Sequence, residues 1–498
     1  MGTVSYSSGF RPRFCLPVLA LAPGPRFLLK YPMRYHSTRD GNHAVSFAAA
    51  ALSGLAPDGG LYVPGQIPEY PRAVSSSLGT MDYRDIAFET IKPYVRGEMP
   101  DSVLEDIVRE AYPFGAPLVP VGKRMVLELF HGPTAAFKDF GARFMARAFA
   151  WLRRGEDRPL RILVATSGDT GGAVADGFFG VPGIYVTVLY PKGRVSPLQE
   201  RQIAGLGGNV SALAVEGSFD DCQRLVKAAL SPAGTADGGP GKKAALSSAN
   251  SINVSRLIPQ AAYYAAAAGR AMAGAADPDG AATPRLPGSP PPPPRVFPGT
   301  PITLCVPSGN FGNLTAGLYA VKMGAPVRRF IAATNANRTV PDYLASGEYL
   351  ARESLATLSN AMDVGAPSNF ERMTAHFSLE EMRRAIFGVW VSDAETRETI
   401  ARVREQAGYF LDPHTAVGWK GAEKLAAELG PGFELAGNPV GILSTAHPAK
   451  FAETVEPLVA PLGGPPLPVP ASLARAMGRT ADSRTIPAEL DALLGVLG

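Results

Sequence analysis

The stretch LELFHGPTAAFKDFGARFMARAFA, from Leu127 to Ala150, decides how the chain folds. It opens with an apolar run typical of a strand, which ends at the turn-forming residues HGPT at 131–134. Beyond the turn, apolar residues recur at the spacing of an amphipathic helix. Lys138 lies at the point where this helix should begin. The pattern therefore predicts a strand, a short loop and a helix with a lysine at its N-terminus.

A lysine in that position has distinctive chemistry. The positive end of the helix dipole disfavours the charged ammonium group and so favours the neutral amine. The neutral amine is the form that attacks a carbonyl group. Lys138 is therefore a candidate nucleophile, with a solvated surface lysine as the ordinary alternative.

The composition bounds the class of protein. A chain of 498 residues is too long for one compact core, which predicts two or three structural units. With 46% hydrophobic and 18% charged residues and no apolar run of membrane-spanning length, we expect a globular protein without a membrane partner. The net charge of +4 over this length says nothing about nucleic acid, but the basic or aromatic clustering of a nucleic-acid-binding protein is absent, so we expect no such partner.

The metal-binding and disulfide-forming residue types are scattered. Cys15, Cys222 and Cys305 are far apart, and the six histidines show no paired spacing with cysteine or glutamate. Neither a disulfide framework nor a metal site is therefore predicted, and a reducing compartment is favoured.

The N-terminal segment has the composition of a targeting sequence. From Met1 to Arg39 there are six basic residues and no acidic one, and serine and proline are frequent. We expect residues 1–32 to be an organellar transit segment for a plastid or a mitochondrion. A secretory signal around Cys15–Pro23 is weaker, because prolines interrupt it. A cytoplasmic protein that starts at Met33 is the remaining alternative.

Periodicity separates a small helical unit from a larger α/β body. Helices are predicted at Tyr83–Tyr94 and Asp101–Tyr112, with Asp101 as the N-cap of the second. Short β-rich runs then alternate with helical patterns, which predicts parallel strands joined by crossover helices. These runs are Arg161–Thr166, Ile184–Tyr190, Val210–Val215, Ile302–Pro307 and Arg329–Thr334. In open parallel sheets ligands bind beyond the carboxyl ends of the strands, so the loops after these runs are the candidates for chemistry.

The first such loop is TSGDTGGAVADGF, Thr166–Phe178. Ser167, Asp169 and Thr170 could cap a helix that starts near Gly171 and leave amide groups directed at an anion. An ordinary capped turn is the alternative.

The second loop is PSGNFGNLTAGLYA, Pro307–Ala320, again between a strand and a helix. Gly309, Gly312, Asn310 and Asn313 make it a candidate phosphate cradle. Neither loop carries the glycine-rich fingerprint of a nucleotide site.

Together with Lys138, these stretches resemble the threonine synthase family in its longer, fungal and bacterial form. The resemblance extends from about Met33 to the end of the chain, with Asp40 standing where the family has a glycine. The other matching stretches are Tyr35–Pro64, Ser196–Gln202, Glu216–Lys227, Asn250–Tyr264, Met362–Arg372, Asp412–Gly418 and Ser444–Phe451.

The resemblance implies an α/β fold of the second type of pyridoxal-phosphate enzymes, similar to the tryptophan synthase β chain. We expect open parallel-sheet domains with an additional N-terminal helical domain. The expected divisions are residues 33–125 for the N-terminal domain and 126–498 for a catalytic region of two subdomains.

The resemblance also implies roles for individual residues. Lys138 would carry the pyridoxal 5'-phosphate and Thr445 would face its pyridine nitrogen. The implied cofactor-binding loop residues are Gly309, Asn310, Phe311 and Asn313, and the implied substrate-binding residues are Ser167, Asp169, Thr170, Asn253 and Arg256.

The reaction implied is conversion of the small molecule O-phospho-L-homoserine, with water, into L-threonine and phosphate by γ-elimination and β-addition. Related dehydratases and cysteine synthases are alternatives that lack the Tyr35–Pro64 opening. A threonine synthase-like protein acting as a phospho-lyase on other phosphorylated ligands is a third. The sequence leaves open whether the protein is a monomer or a homodimer.

Ala273–Pro301 departs from the family pattern. It contains the run SPPPPPR, and consecutive prolines cannot join a sheet, so we expect an inserted surface loop. Residues 234–243 predict a second loop of this kind.

Overall fold

The structure is a computed structural model that describes residues 32–230, 245–274, 298–430 and 438–497. The predictions for the transit segment, for Cys15, for the loop at 234–243 and for nearly all of the proline-rich insertion fall outside these residues. They stay predictions.

The N-terminal unit is small and mainly helical. Its elements are β1 (Tyr35–Ser37), α1 (Phe47–Ser53), β2 (Tyr62–Pro64), α2 (Arg72–Ser77), α3 (Tyr83–Val95) and α4 (Asp101–Ala111). The two predicted helices are confirmed as α3 and α4, but Asp101 is the first residue of α4 and Pro100 holds the N-cap position. The Asp101 carboxylate pairs with Lys92 of α3 at 2.6 Å and so does not cap its own helix.

The α/β body follows, and its first half runs from a hairpin into a series of alternating strands and helices. These elements are β3 (Leu118–Val121), β4 (Arg124–Glu128), α5 (Lys138–Leu152), β5 (Leu160–Ala165), α6 (Asp169–Phe178), β6 (Ile184–Pro191), α7 (Pro197–Ala204), β7 (Val210–Glu216), α8 (Phe219–Leu230), β8 (Ala245–Ser248), α9 (Val254–Leu257) and α10 (Ala261–Ala273).

The second half continues the same alternation to the end of the chain. Its elements are β9 (Ile302–Pro307), α11 (Gly312–Met323), β10 (Val327–Thr334), α12 (Thr339–Ser346), α13 (Phe370–His376), α14 (Leu379–Ala385), β11 (Ile386–Trp390), α15 (Asp393–Ala407), α16 (Pro413–Leu429), β12 (Val440–Ser444), α17 (Ala452–Val459), α18 (Ala471–Met477), β13 (Arg484–Pro487) and α19 (Leu490–Leu497).

The strands form two large sheets, each the centre of one domain. The five-stranded sheet has the order β13-β7-β6-β5-β8 and is parallel throughout. The six-stranded sheet has the order β11-β10-β9-β12-β4-β3 and is parallel except for the β3–β4 hairpin. The predicted parallel architecture is confirmed. Central strands such as β9 are buried along their whole length, as apolar strands covered by helices on both faces must be.

In two places the order of elements along the chain does not match their grouping into sheets. β3 and β4 already belong to the six-stranded sheet, although β3 precedes residue 125; the domain division expected there stays a prediction. The C-terminal residues return to the five-stranded domain, where β13 pairs with β7. Ile486, Leu493 and Leu497 join the apolar core on the side of α8.

The loops predicted to carry chemistry all leave the carboxyl ends of parallel strands. The segments after β4, β5, β9 and β12 each contribute residues to one pocket between the two sheets. In the described ranges no helix combines the length and apolar character needed to cross a membrane, and no cluster of metal-ligating side chains is found.

Candidate active site

The pocket gathers residues that are far apart in sequence. It is lined by residues of both domains, among them Lys138, Ser167, Asp169, Thr170, Arg256, Gly309, Asn310, Phe311, Asn313 and Thr445. Every predicted site residue except Asn253 is therefore in this lining.

Lys138 is the first residue of α5, as the sequence predicts. Burial lowers the pKa of Lys138 to about 8, because the ammonium form loses its hydration. Asp169 opposes this shift, whereas Lys450 and Arg256 add to it. Burial is thus the largest of these causes of the lowered pKa of Lys138.

The loop between β9 and α11 presents backbone donors to the pocket. Phe311 adopts the left-handed conformation, with φ 58°, which is uncommon outside glycine. In the part of the chain that the structure describes, the backbone N–H groups of residues 309–313 have no hydrogen-bond acceptor. A row of free amides at a helix N-terminus is the arrangement that binds a phosphate group.

The two asparagines of this loop brace it from within. Asn313 accepts a hydrogen bond from Ser308 Oγ at 2.6 Å and donates one to the Pro307 oxygen at 2.9 Å. Asn310 donates to Ser251 Oγ at 2.5 Å. Their side chains therefore shape the cradle, and the backbone amides are left for a ligand.

The turn between β5 and α6 is capped differently from the expectation. α6 begins at Asp169, and Gly168 precedes it with φ 132° and no side-chain cap. The hydroxyl of Thr166 accepts from the N–H groups of Gly168 at 2.9 Å and Gly171 at 2.8 Å instead. The N–H groups of Ser167, Asp169 and Thr170 find no acceptor in the described segments, so this turn offers a second set of free amides.

Asp169 does not cap α6 because its carboxylate is directed elsewhere. Only 3% exposed, the carboxylate lies 2.7 Å from Lys450 Nζ and 3.8 Å from Lys138 Nζ. A carboxylate held in this way cannot donate to an anionic substrate. The neighbouring backbone N–H groups, in contrast, are able to donate to an anion.

Asn253 is not among the residues that line the pocket, and its contact with the substrate stays a prediction. It is fully buried and caps α9 through Ser255. Its Nδ2 donates to the backbone oxygens of Ala51 at 2.8 Å and Ser248 at 3.0 Å. Oδ1 thus caps α9, and Nδ2 attaches this helix to the N-terminal unit.

Arg256, one turn further along α9, is a buried cation in the pocket wall. It is 2% exposed, and Nη1 donates to the Ala249 oxygen at 2.6 Å. Nε has no hydrogen-bond partner, and no carboxylate of the described residues forms an ion pair with the guanidinium group. Burial lowers the pKa of Arg256 to about 10, so the group is still charged at neutral pH.

Thr445 follows β12 directly and completes the floor of the pocket. Its backbone oxygen accepts from the N–H of Phe137 at 2.8 Å, which fixes it beside Lys138. The Thr445 hydroxyl makes no hydrogen bond to any residue that the structure describes.

Sequence reasoning assigned no role to His414, which also lines the pocket. Its Nδ1 contacts Asp412 Oδ1 at 2.8 Å, and its Nε2 accepts from the N–H of Ala361 at 3.2 Å. The ring therefore supports the segment at 360–362 that packs against Gly309. His414 lies in the stretch Asp412–Gly418, which resembles the family. The resemblance alone does not show that its ring supports the segment opposite Gly309, because that contact joins distant parts of the chain.

The residues fit pyridoxal phosphate on structural grounds. Gly309 lets the loop pack directly against the backbone of residues 361–362, since a Cβ at this position would lie 2.7 Å from Met362 Cα. The free amides of residues 309–313 suit a phosphate, Lys138 supplies an amine, and the Thr445 hydroxyl is free to meet a ring nitrogen.

Comparisons with known proteins agree with this geometry. The family model for the threonine synthase N terminus matches residues 34–112, that for pyridoxal-phosphate dependent enzymes matches 125–437, and that for the threonine synthase C-terminal region matches 415–495. The threonine synthase of Escherichia coli (strain K12) is 39% identical over 93% of this chain and 98% of its own length. The threonine synthase of Saccharomyces cerevisiae (strain ATCC 204508 / S288c) is 34% identical, over 84% and 88%.

Solved structures of threonine synthases are also similar to this chain. The crystal structure of Escherichia coli threonine synthase superimposes with a TM-score of 0.79 and 38% identity, covering 93% of this chain and 99% of that one. The pyridoxal-phosphate-bound threonine synthase of Brucella melitensis has a TM-score of 0.77 and 35% identity, covering 93% and 98%. Fold and site together define a pyridoxal-phosphate-dependent enzyme of the second fold type.

Within that class the chain belongs to the threonine synthase family. The match includes the N-terminal unit and the C-terminal return as well as the catalytic body.

Proposed function

We propose that the protein converts O-phospho-L-homoserine and water into L-threonine and phosphate. Family membership supports the reaction, and the observation that carries the choice of substrate is Arg256. A buried guanidinium group without a carboxylate partner is costly, and an anionic ligand removes that cost.

The cofactor, when bound, supplies the electron sink for charge that develops on the substrate carbons. Lys138 would carry it, the amides of residues 309–313 would hold its phosphate, and Thr445 would meet its ring nitrogen. A hydroxyl at that place does not require a protonated ring, which suits a reaction with several proton transfers.

Lys138 is also the proposed proton carrier of the reaction. Because its pKa is about 8, both the amine and the ammonium form are accessible near neutral pH. The same nitrogen can then remove a proton from a substrate carbon and return one to a neighbouring carbon. The pocket between the two domains keeps this nitrogen largely out of water.

Two sets of donors would divide the anionic substrate between them. The free amides of Ser167, Asp169 and Thr170 suit a carboxylate at the N-terminus of α6. Arg256 suits the phosphate, because a charge-assisted contact strengthens as the leaving group gains charge.

The test is a paired product assay on the purified protein with pyridoxal phosphate. O-phospho-L-homoserine should yield phosphate and L-threonine in equal amounts, and L-homoserine should be a poor substrate. Lys138→Ala is the inactive control. Release of phosphate without threonine would instead identify a phospho-lyase and would reject the proposed reaction.

A further proposal concerns the N-terminal segment. We propose that residues 1–32 direct the chain to an organelle, supported by their lack of acidic residues. A fluorescent protein fused behind these residues should be imported, and a cytoplasmic distribution would favour the start at Met33. Sedimentation of the purified protein distinguishes the monomer from the homodimer.

A further inference from the structure

The carboxylate of Asp169, in the five-stranded domain, lies between two lysines that follow strands of the six-stranded sheet. Lys450 Nζ is 2.7 Å from Oδ1, and Lys138 Nζ is 3.8 Å from Oδ2. Gln199 Nε2 donates a further hydrogen bond to Oδ1 at 3.0 Å. One carboxylate oxygen is thus occupied, and the other faces the amine that carries the cofactor.

Lys450 is more completely buried than lysine usually is. Its side chain has 0% exposure, and Nζ donates to the backbone oxygen of Thr134 at 3.0 Å. Thr134 belongs to the loop that leads into Lys138. Lys450 is not part of the pocket lining, so its ammonium group reaches Asp169 and this loop but not a ligand.

Stability is a poor explanation for this pair. Burying two charges costs hydration on both, and such a pair seldom stabilises a fold more than apolar side chains of similar size. A defined geometry is what the pair supplies, because the ammonium group ties Asp169 of one domain to the Lys138 loop of the other.

We propose that Lys450 is a positioning residue of the active site, which fixes the ionised Asp169 carboxylate so that its free oxygen faces the nitrogen of Lys138. The inference rests on Lys138 as the cofactor anchor and not on the identity of the substrate. It can therefore fail while the proposed reaction stands, and the reverse also holds.

The charges around the three groups define the expected effects. The charged or titratable groups that face Asp169 are Lys450, Lys138 and His414. Those that face Lys138 are Asp169, Lys450 and Arg256. Asp139 and His447 also face Lys450. Burial alone would raise the pKa of Asp169, but the two ammonium groups outweigh burial and hold that pKa well below its usual range. Asp169 therefore stays ionised and favours a protonated nitrogen on Lys138, whereas Lys450 disfavours it.

The test is a pH titration of the visible absorbance of the holoenzyme, which reports protonation of the Lys138 nitrogen. Asp169→Asn removes the negative charge and leaves Lys450, so the midpoint should fall. Lys450→Met removes the competing ammonium group, so that Asp169 pairs with Lys138 only and the midpoint should rise. We expect opposite shifts on the order of one pH unit, equal to about tenfold in proton affinity. Lys420→Met, which removes a lysine paired with Glu423 outside the pocket, is the control and should leave the midpoint unchanged.

The double variant Asp169→Asn/Lys450→Met shows whether Lys450 acts through Asp169. It removes both buried charges together, so it should fold even where Lys450→Met alone does not. In a chain that already carries Asp169→Asn, adding Lys450→Met should move the midpoint less than it does in the wild type.

Four results would overturn the proposal. If Lys450→Met shifted the midpoint as much on top of Asp169→Asn as it does in the wild type, Lys450 would act on Lys138 only through its own charge and not through Asp169. Shifts of the same sign, or no shift in a folded Lys450→Met protein, would remove the positioning role. Failure of the double variant to fold, with Asp169→Asn folded, would make Lys450 a structural residue only.

Discussion

Gly309→Ala tests the phosphate cradle with one methyl group. A Cβ at this position would lie 2.7 Å from Met362 Cα, 3.1 Å from Met362 C and 3.2 Å from the Ala361 oxygen. All three atoms belong to the backbone, so no side chain can rotate away. The opposing segment is also fixed, because the Ala361 N–H donates to His414 Nε2. Either this segment or the cradle itself must move.

The size of the effect follows from the overlap. Insertion of a methyl group into a packed site typically costs about 1–3 kcal/mol. If the cradle moves, that strain opposes cofactor binding and weakens it about 5- to 150-fold, since about 1.4 kcal/mol is tenfold. The dissociation constant is measured by titrating the cofactor-free protein with pyridoxal phosphate and recording visible absorbance.

Gly115→Ala is the matched control, because a Cβ there meets no atom within 4 Å. It should leave both the dissociation constant and the thermal midpoint unchanged. A Gly309→Ala protein that binds pyridoxal phosphate as tightly as the wild type would refute the placement of the cofactor phosphate at residues 309–313.

The remaining predictions concern the amine, the guanidinium group and the N-terminus. With the pKa of Lys138 at about 8, the rate of cofactor uptake should rise with pH to a midpoint near 8. At pH 7.5 about a quarter of the amine is then neutral, against about a thousandth at a pKa near 10.5, and a midpoint above pH 10 would contradict the burial of this lysine. Arg256→Ala should keep the visible absorbance of the cofactor but lower kcat/KM on O-phospho-L-homoserine by about 10² or more, with partial recovery in Arg256→Lys; loss of the absorbance would instead give Arg256 a role in holding the cofactor. A chain starting at Met33 should retain activity and thermal midpoint, since Met33 is buried in the N-terminal core; lost catalysis in a folded protein would show that the preceding residues contribute to the site.

Local pattern was enough to predict the elements and the loops that carry the site. Ile302–Pro307 is predicted and observed with the same bounds. The helix beginning at Lys138 is likewise confirmed, because apolar spacing and a turn sequence are properties of neighbouring residues. Family resemblance added Thr445, to which periodicity assigns no role.

What the sequence did not predict depends on contacts between distant segments. The pairing of β13 with β7 returns the C-terminus to the five-stranded domain, and local periodicity does not determine strand order. Asp169 reads as a helix cap in sequence, but Lys450, from another domain, redirects its carboxylate. The family resemblance implies that Asn253 binds the substrate, whereas in the structure its side-chain amide donates a hydrogen bond to the backbone oxygen of Ala51.

The origin of each group in the two sheets makes these perturbations separable. The proposed cofactor groups follow β4, β9 and β12 of the six-stranded sheet, whereas the free amides of Ser167, Asp169 and Thr170 follow β5 of the other sheet. Strain introduced at Gly309 should therefore change the dissociation constant of the cofactor but leave KM for the substrate unchanged once the cofactor is saturating. Lys450 of the six-stranded domain contacts Asp169 of the other domain. Its loss should therefore change the pH midpoint of the Lys138 nitrogen and leave the dissociation constant of the cofactor unchanged. A Lys450→Met protein that instead lost cofactor affinity as strongly as Gly309→Ala does would contradict this expectation. That result would show that both domains hold the cofactor, and that cofactor and substrate binding are not assigned to separate sheets.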